Sequence, residues 1–304
     1  MDVHVIKTVP ITLKMVINSY RKVRKGGKAA GIDEQSWEQF DKDVSNQLYV
    51  LWNRMTSGSY FPKAVREVEI PKKDGRMRKL GIPTLCDRIA QGVVKEYMEV
   101  RIDHLFHEHS YGYRPLKSSH GALKQVRKNC LKRDWVIDMD IEKFFDQISH
   151  ELMLKAVEAM FEEKWVRMYV KRWLEMKIQN VKGEQITREK GTPPGGVVSP
   201  LLANLFLHYA FDKWIEINFQ GVDFDRYADD IIVHCYTKEE AEQLLQAIKE
   251  RLRSVHLNLN ERKTKVVYCS DYRRKEKHSN VQFDFLGFSY QPRESKSKIY
   301  KDQS

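Results

Sequence analysis

Residues 226–235 read RYADDIIVHC, which sets Asp229 and Asp230 against Ile231, Ile232 and Val233, an apolar run with the look of a buried strand. Two like charges a few ångströms apart repel, so the pair costs stability unless something positive lies between them and a partner. A polar hairpin turn is the plainer reading, since Asp is common in turns. A second run, WVIDMDI at 135–141, is also strand-like and also ends in carboxylates. Its Asp138 and Asp140, two residues apart, project from one face of the strand. If the two runs are neighbours in one sheet, Asp140 and Asp229 meet at its edge.

Clustered carboxylates with no His or Cys alongside suit a hard cation, Mg²⁺ before zinc. Two such ions are the apparatus of in-line phosphoryl transfer. The charge balance agrees: across 304 residues Lys+Arg outnumber Asp+Glu by 53 to 42, for a net +11, which favours a polyanionic partner such as nucleic acid. Hydrophobic residues at 41% and charged residues at 31% describe a soluble globular chain of one large or two modest domains. The opening MDVHVIKTVP lacks the pattern of a signal peptide, and no run approaches the roughly 18 apolar residues of a membrane span. Cys86, Cys130, Cys235 and Cys269 are scattered without zinc spacing, so a reduced, cytoplasmic setting is expected. Nothing in the sequence fixes an oligomeric state.

Helical periodicity marks Leu13, Val16, Ile17 and Tyr20, then a stretch over 34–56, another over 86–104, and HGALKQVRKNC. A long amphipathic helix is expected from Leu152 to Trp173, and SPLLANLFLHYAFDKWI and KEEAEQLLQAIKERL each read as one further helix. AVREVEIPKKDGRMRKLGIP alternates around KKDG as a hairpin with a basic tip, and KVVYC and FDFLGFSY read as closing strands. The expected class is α+β, an antiparallel sheet carrying helices on one face.

Six blocks then carry a resemblance. In chain order they are IPKKDGRMRKLGIPTLCDR, SYGYRP, DIEKFFDQISH, GTPPGGVVSPLLANLFL, RYADD and FDFLGF, with KAAGID ahead of them. They resemble the motifs of reverse transcriptases, and KAAGID resembles the N-terminal extension of the group II intron-encoded reverse transcriptase/maturase lineage. The likeness runs from about residue 20 to 290. It implies a right-hand polymerase fold with an antiparallel palm sheet, packed helices and fingers. Fingers would take 1–85 and 148–193, palm 86–147 and 194–304, and the thumb and maturase region of relatives is not expected in this chain.

The resemblance implies an RNA-directed DNA polymerase that adds dNTP to the 3′-hydroxyl of a DNA primer on an RNA template. Intron RNA is a further expected partner, bound to assist splicing and mobility in a bacterial cell. Carried over by residue, Asp140 and Asp229 would hold two Mg²⁺ ions, Asp230 would be the supporting third carboxylate, and the Ile141 carbonyl would complete one shell. Asp138 and Asp146 read as supporting or structural. Phe145 would exclude a ribose 2′-hydroxyl, and Lys72 and Arg78 would fold over the triphosphate. Lys263 is either the general acid for departing pyrophosphate or a surface lysine. Gly195 and Gly196 belong to the primer–template motif, Leu286 and Gly287 to the primer grip, and Arg114 either contacts template phosphate or braces the palm. Pro194 stands where the family usually has glutamine, so Pro194→Gln is expected to raise dNTP incorporation. An RNA-dependent RNA polymerase shares the metal logic, but Phe145 and the Tyr-Ala hairpin argue against it. The residues also leave room for a splicing cofactor with an idle polymerase site, and for a reverse transcriptase of the retron or CRISPR lineages.

Overall fold

A computed structural model describes residues 9–71, 75, 77–192 and 195–292 of the chain. Three helices, α1 (Leu13–Val23), α2 (Trp37–Asp41) and α3 (Val44–Thr56), precede a hairpin of β1 (Val65–Pro71) and β2 (Met77–Ile82). Next come α4 (Leu85–Ile102), α5 (Ser119–Cys130), β3 (Trp135–Asp140), α6 (Phe144–Gln147), α7 (His150–Met160) and α8 (Lys164–Leu174). Two short strands, β4 (Ile178–Gln179) and β5 (Gln185–Ile186), lead to α9 (Ser199–Leu207), and a wide π turn (His208–Asp212) runs on into α10 (Lys213–Asn218). The chain closes with β6 (Asp223–Tyr227), β7 (Asp230–Cys235), α11 (Lys238–Ser254), β8 (Lys265–Tyr268), β9 (Phe283–Phe285) and β10 (Phe288–Tyr290).

The strands form a sheet ordered β2-β1-β4-β5, a second ordered β6-β7-β3-β8, and a separate β9–β10 hairpin. In the second sheet every pairing is antiparallel, and β3 lies between β7 and β8. This explains the unbroken Trp135-Val136-Ile137 run: a central strand covered on both faces needs apolar side chains on both. Ile137, Met139, Ile231 and Val233 join the large core with Ala241, Leu244 and Ile248 of α11. Val136, Ile232 and Val267 face a smaller core built with Ala122 and Val126 of α5 and Phe283 and Phe285.

Several expectations are corrected. Helices cover both faces of the sheet rather than one, because α5 occupies the face that also carries Asp138 and Asp140. The expected helix over 34–56 is two, with Ser36 capping α2 and Asp43 starting α3. The long helix from Leu152 breaks at Phe161, whose extended backbone turns its ring into the core. FDFLGFSY does not close the sheet; it pairs with itself, Phe285 opposite Phe288.

Candidate active site

Strand register does most of the assembly. In the β3–β7 pairing Asp140 lies directly opposite Asp230, and Asp138 opposite Ile232. Side chains of directly opposed residues start about 5 Å apart at their Cβ atoms. Asp229 is next door, in the two-residue turn Ala228-Asp229 that joins Tyr227 to its partner Asp230. Ala228 has φ 57°, a left-handed conformation that costs a non-glycine residue about 1 kcal/mol. The turn is therefore held, not relaxed.

The segment after α11 returns along the other edge of β3. Asn260 N donates to Asp140 O at 2.8 Å and Glu142 N to Asn258 O at 2.8 Å, with Ile141 opposite Leu259. Backbone groups alternate edges in such a ladder, so the Ile141 carbonyl points the opposite way, to the side of the Asp229 turn. The same returning segment delivers Lys263, whose Nζ lies 3.1 Å from Asp140 Oδ1.

The electrostatics are those of acids in want of a counter-charge. Burial pushes the Asp229 carboxyl above the usual range, with Asp140 adding to it. Asp230 keeps an exposed edge, yet the surrounding protein, Asp229 and Asp140 push it up to about 6 against the relief given by Lys263. Asp138 is raised by burial to about 7, with Lys265 opposing. Among the described residues no three acidic, imidazole or thiol side chains already stand in a ligating cluster. The Asp140 carboxylate is turned to Lys263. The register supplies the proximity, and side-chain rotation is what remains to gather the oxygens. The donor set, carboxylates plus a backbone carbonyl, fits a hard divalent cation and not zinc.

The other expected site residues sort themselves by place. Phe145 sits in α6, partly buried, its ring 5.4 Å from that of Phe144 in an edge contact, and its carbonyl accepts from Thr192 N at 2.8 Å. This ties the glycine-rich loop to α6, which follows the strand bearing Asp140. Gly195 has φ 77°, and a Cβ there would lie 2.0 Å from the Gly81 carbonyl of β2, so only glycine lets the loop cross that strand. Gly196 is buried beside it and its carbonyl accepts from Ser199 N. Leu286 and Gly287 form the turn between β9 and β10, with φ 53° and 80°. Arg114 is fully engaged inside the protein: it donates to Asp103 Oδ1 at 2.8 Å and to the carbonyls of Asp103, His107 and Ser110 at 2.7 Å each. Of its two readings, these bonds fill the bracing one. Lys72, Pro194 and the side chain of Arg78 lie outside the described residues.

Sequence reasoning passed over the buried polar residues behind the turn. Arg226, the first letter of RYADD, is fully buried and pairs bidentately with Asp212, Nε to Oδ1 at 2.9 Å and Nη2 to Oδ2 at 2.7 Å. Its neighbour Asp225 faces the other way, accepting from Asn129 Nδ2 at 2.9 Å, with His234 Nε2 at 3.0 Å. A signal was available: Asn204 and Asp212 are polar residues within a mostly apolar helical run, and buried polar residues are usually satisfied by hydrogen bonds.

With this geometry in hand, comparison with known proteins is direct. The reverse transcriptase (RNA-dependent DNA polymerase) family profile matches residues 70–290. The chain is 31% identical to protein YkfC of Escherichia coli, over 81% of this chain and 74% of that one. It is 29% identical to the group II intron-encoded protein LtrA of Lactococcus lactis, over 83% of this chain but only 40% of LtrA. Among solved structures, telomerase from Candida albicans, in complex with a fragment of telomeric RNA, superposes with a TM-score of 0.58 at 13% identity, covering 83% of this chain and 48% of the telomerase chain. That likeness carries the right-hand polymerase fold. The matched profile and the intron-encoded relatives together place this chain in the reverse transcriptase family, on its group II intron-encoded branch.

Proposed function

We propose that Asp140, Asp229 and Asp230, with the Ile141 carbonyl, hold two magnesium ions at the end of the β3–β7 pairing, where the chain extends a DNA primer on an RNA template. The register that sets Asp140 opposite Asp230, with Asp229 in the adjoining turn, is the observation that carries this reading. Bound there, such ions supply Lewis-acid activation of the primer hydroxyl and neutralise charge on the leaving pyrophosphate. The remaining steps belong to the chain's own side chains. Lys263, beside Asp140, is freed once its carboxylate partner turns elsewhere, and its ammonium then donates a proton to the departing pyrophosphate oxygen. Phe145 lies against the ribose and leaves no space for a 2′-hydroxyl. Lys72 and Arg78 close over the triphosphate from the β1–β2 hairpin, while Leu286 and Gly287 hold the primer strand.

The fingers, as we assign them, take 1–85 and 148–193, and the palm 86–147 and 194–304. In support, one sheet draws all its strands from the first pair of segments and the other sheet from the second. Among the described residues no helix is long and apolar enough to cross a membrane. Intron RNA is a second partner in this reading, suggested by the intron-encoded relative, and would show as tight, salt-sensitive affinity for one structured RNA.

The test is Mg²⁺-dependent primer extension on RNA. Asp229→Asn is expected to lower the rate at least about 100-fold, since such a site supplies several kcal/mol of transition-state stabilisation. RNA affinity should be retained. Extension by Asp229→Asn at the parental rate would refute the assignment, and equal use of rNTP and dNTP by the parent would remove Phe145 from its role.

A further inference from the structure

The turn that carries Asp229 is anchored from behind by a chain of buried polar groups that no part of the reaction scheme uses. Arg226 Nη1 donates to the carbonyl of Ala228, the left-handed residue of the turn, at 3.0 Å, and to Asn204 Oδ1 at 2.9 Å. Asn204 Nδ2 in turn donates to the Gly112 carbonyl at 2.6 Å. Gly112 belongs to SYGYRP, and a Cβ on it would lie 2.4 Å from Ala228 N, so this loop abuts the same turn. Asp212 completes the set by fixing the opposite edge of the guanidinium. Arg226, Asn204 and Asp212 are all fully buried.

The helix is shaped for this purpose. Eight residues separate Asn204 from Asp212, and in a regular α-helix they would point about 80° apart. The π turn over His208–Asp212 takes up one extra residue, which brings the two positions back to within about 20° of a common direction. A wide turn frees carbonyls, and Arg251 of α11 takes two of them, donating to Ala210 O at 2.9 Å and Tyr209 O at 3.0 Å. An irregular helix and three buried polar side chains are thus spent on one backbone carbonyl and one loop.

We propose that Asn204, Arg226 and Asp212 are positioning residues that hold the Ala228-Asp229 turn where Asp229 can share a divalent cation with Asp140. The proposal rests on the cation site described above. Outer hydrogen-bond partners of metal ligands characteristically govern affinity about 10- to 100-fold.

The experiment measures Mn²⁺ binding to the full chain by electron paramagnetic resonance, alongside single-turnover primer extension and thermal unfolding. Arg226→Lys keeps the charge and loses the fork. Asn204→Ala leaves the Arg226–Asp212 pair intact, which keeps the test alive if Arg226→Lys folds poorly. Asn129→Ala is the control, removing a buried hydrogen bond from the opposite face of the same strand, at Asp225. The expected result is at least a 10-fold weaker Mn²⁺ affinity and slower extension in Asn204→Ala, with unchanged KM for dNTP, and parental Mn²⁺ affinity in Asn129→Ala at a similar loss of melting temperature. Parental Mn²⁺ affinity in Asn204→Ala, or an equal loss in Asn129→Ala, overturns the positioning role while leaving the cation site standing. A parent that binds no Mn²⁺ overturns both.

Discussion

Two tight hairpins of this molecule make an instructive pair. Both β6–β7 and β9–β10 turn in two residues, Ala228-Asp229 and Leu286-Gly287, and both need left-handed backbone. The second holds Leu286 at φ 53° and gives the other position to glycine, which adopts positive φ freely, and two positive-φ residues match the twist of the flanking strands. Nothing lies within 4 Å of where a Cβ on Gly287 would sit. The first holds Ala228 in the same costly conformation, with no glycine in the turn, and clamps it with Arg226 while Gly112 abuts its amide. Strain that persists only because its surroundings over-determine it belongs where position matters more than adaptability. The clamped hairpin carries the carboxylates proposed above to share a cation, and the clamp fixes where their turn sits. The open one has free space beside its glycine.

The largest way to break this contrast is Gly112→Ala. The added methyl would meet the Ala228 amide at 2.4 Å and the Tyr227 carbonyl carbon at 3.0 Å, both backbone atoms that cannot step aside as a side chain does. Overpacking of this kind costs about 1–3 kcal/mol. Part of that strain is expected to be relieved by moving the turn, so primer extension should fall about 100-fold, well beyond what lost stability explains. Denaturant unfolding and extension rates on the same preparation check this; a loss of stability with extension intact would mean the turn tolerates displacement.

How much of this was legible in the sequence follows from where each signal resides. Carboxylates at the ends of apolar strands are a local signal, so the placing of Asp140 and Asp230 at strand ends could be read from their neighbours, as could the pairing of β1 with β2. The helix over KEEAEQLLQAIKERL was legible from its apolar periodicity, and the structure adds its cap, Thr237 accepting from Glu240 N at the start of α11. The breaks were not. Phe161 leaves its helix because the core, assembled from distant segments, has a place for its ring, and nothing in the adjoining periodicity records that. Arg114 presents the same cation to solvent or to Asp103 in a bare sequence, and only the tertiary fold decides. The partnership of Asn204, Asp212 and Arg226 required knowing that a helix carries an extra residue in one turn, which apolar periodicity conceals.

The proton provides a sharper, smaller test. Asp230 is raised to about 6 mainly by burial and then by Asp229 and Asp140, so without a cation it holds its proton about two pH units higher than a free carboxyl. A cation needs the ionised form, and binding must expel that proton. Apparent Mn²⁺ affinity is therefore expected to be flat above about pH 7 and to fall as the pH drops through 6, reaching about a tenfold loss at pH 5. Asp230→Asn should lower affinity at neutral pH and flatten much of that dependence. An affinity that rose with acidity would contradict the sign, and a slope unchanged in Asp230→Asn would assign the proton to another group.

The smallest expected effect lies in the open hairpin. Gly287→Ala adds a methyl to free space, so its cost is confined to the left-handed backbone at φ 80°, about 1 kcal/mol. Because this turn is not braced against the carboxylates, the change should reach the primer and not the chemistry: affinity for a primed template falls about fivefold, while the single-turnover rate at saturating primer stays within twofold of the parent. Mn²⁺ affinity should not move. A Gly287→Ala protein that lost its rate as Gly112→Ala does would mean the two hairpins are coupled through Asp138 and Asp284, which interact electrostatically across the gap between β3 and β9.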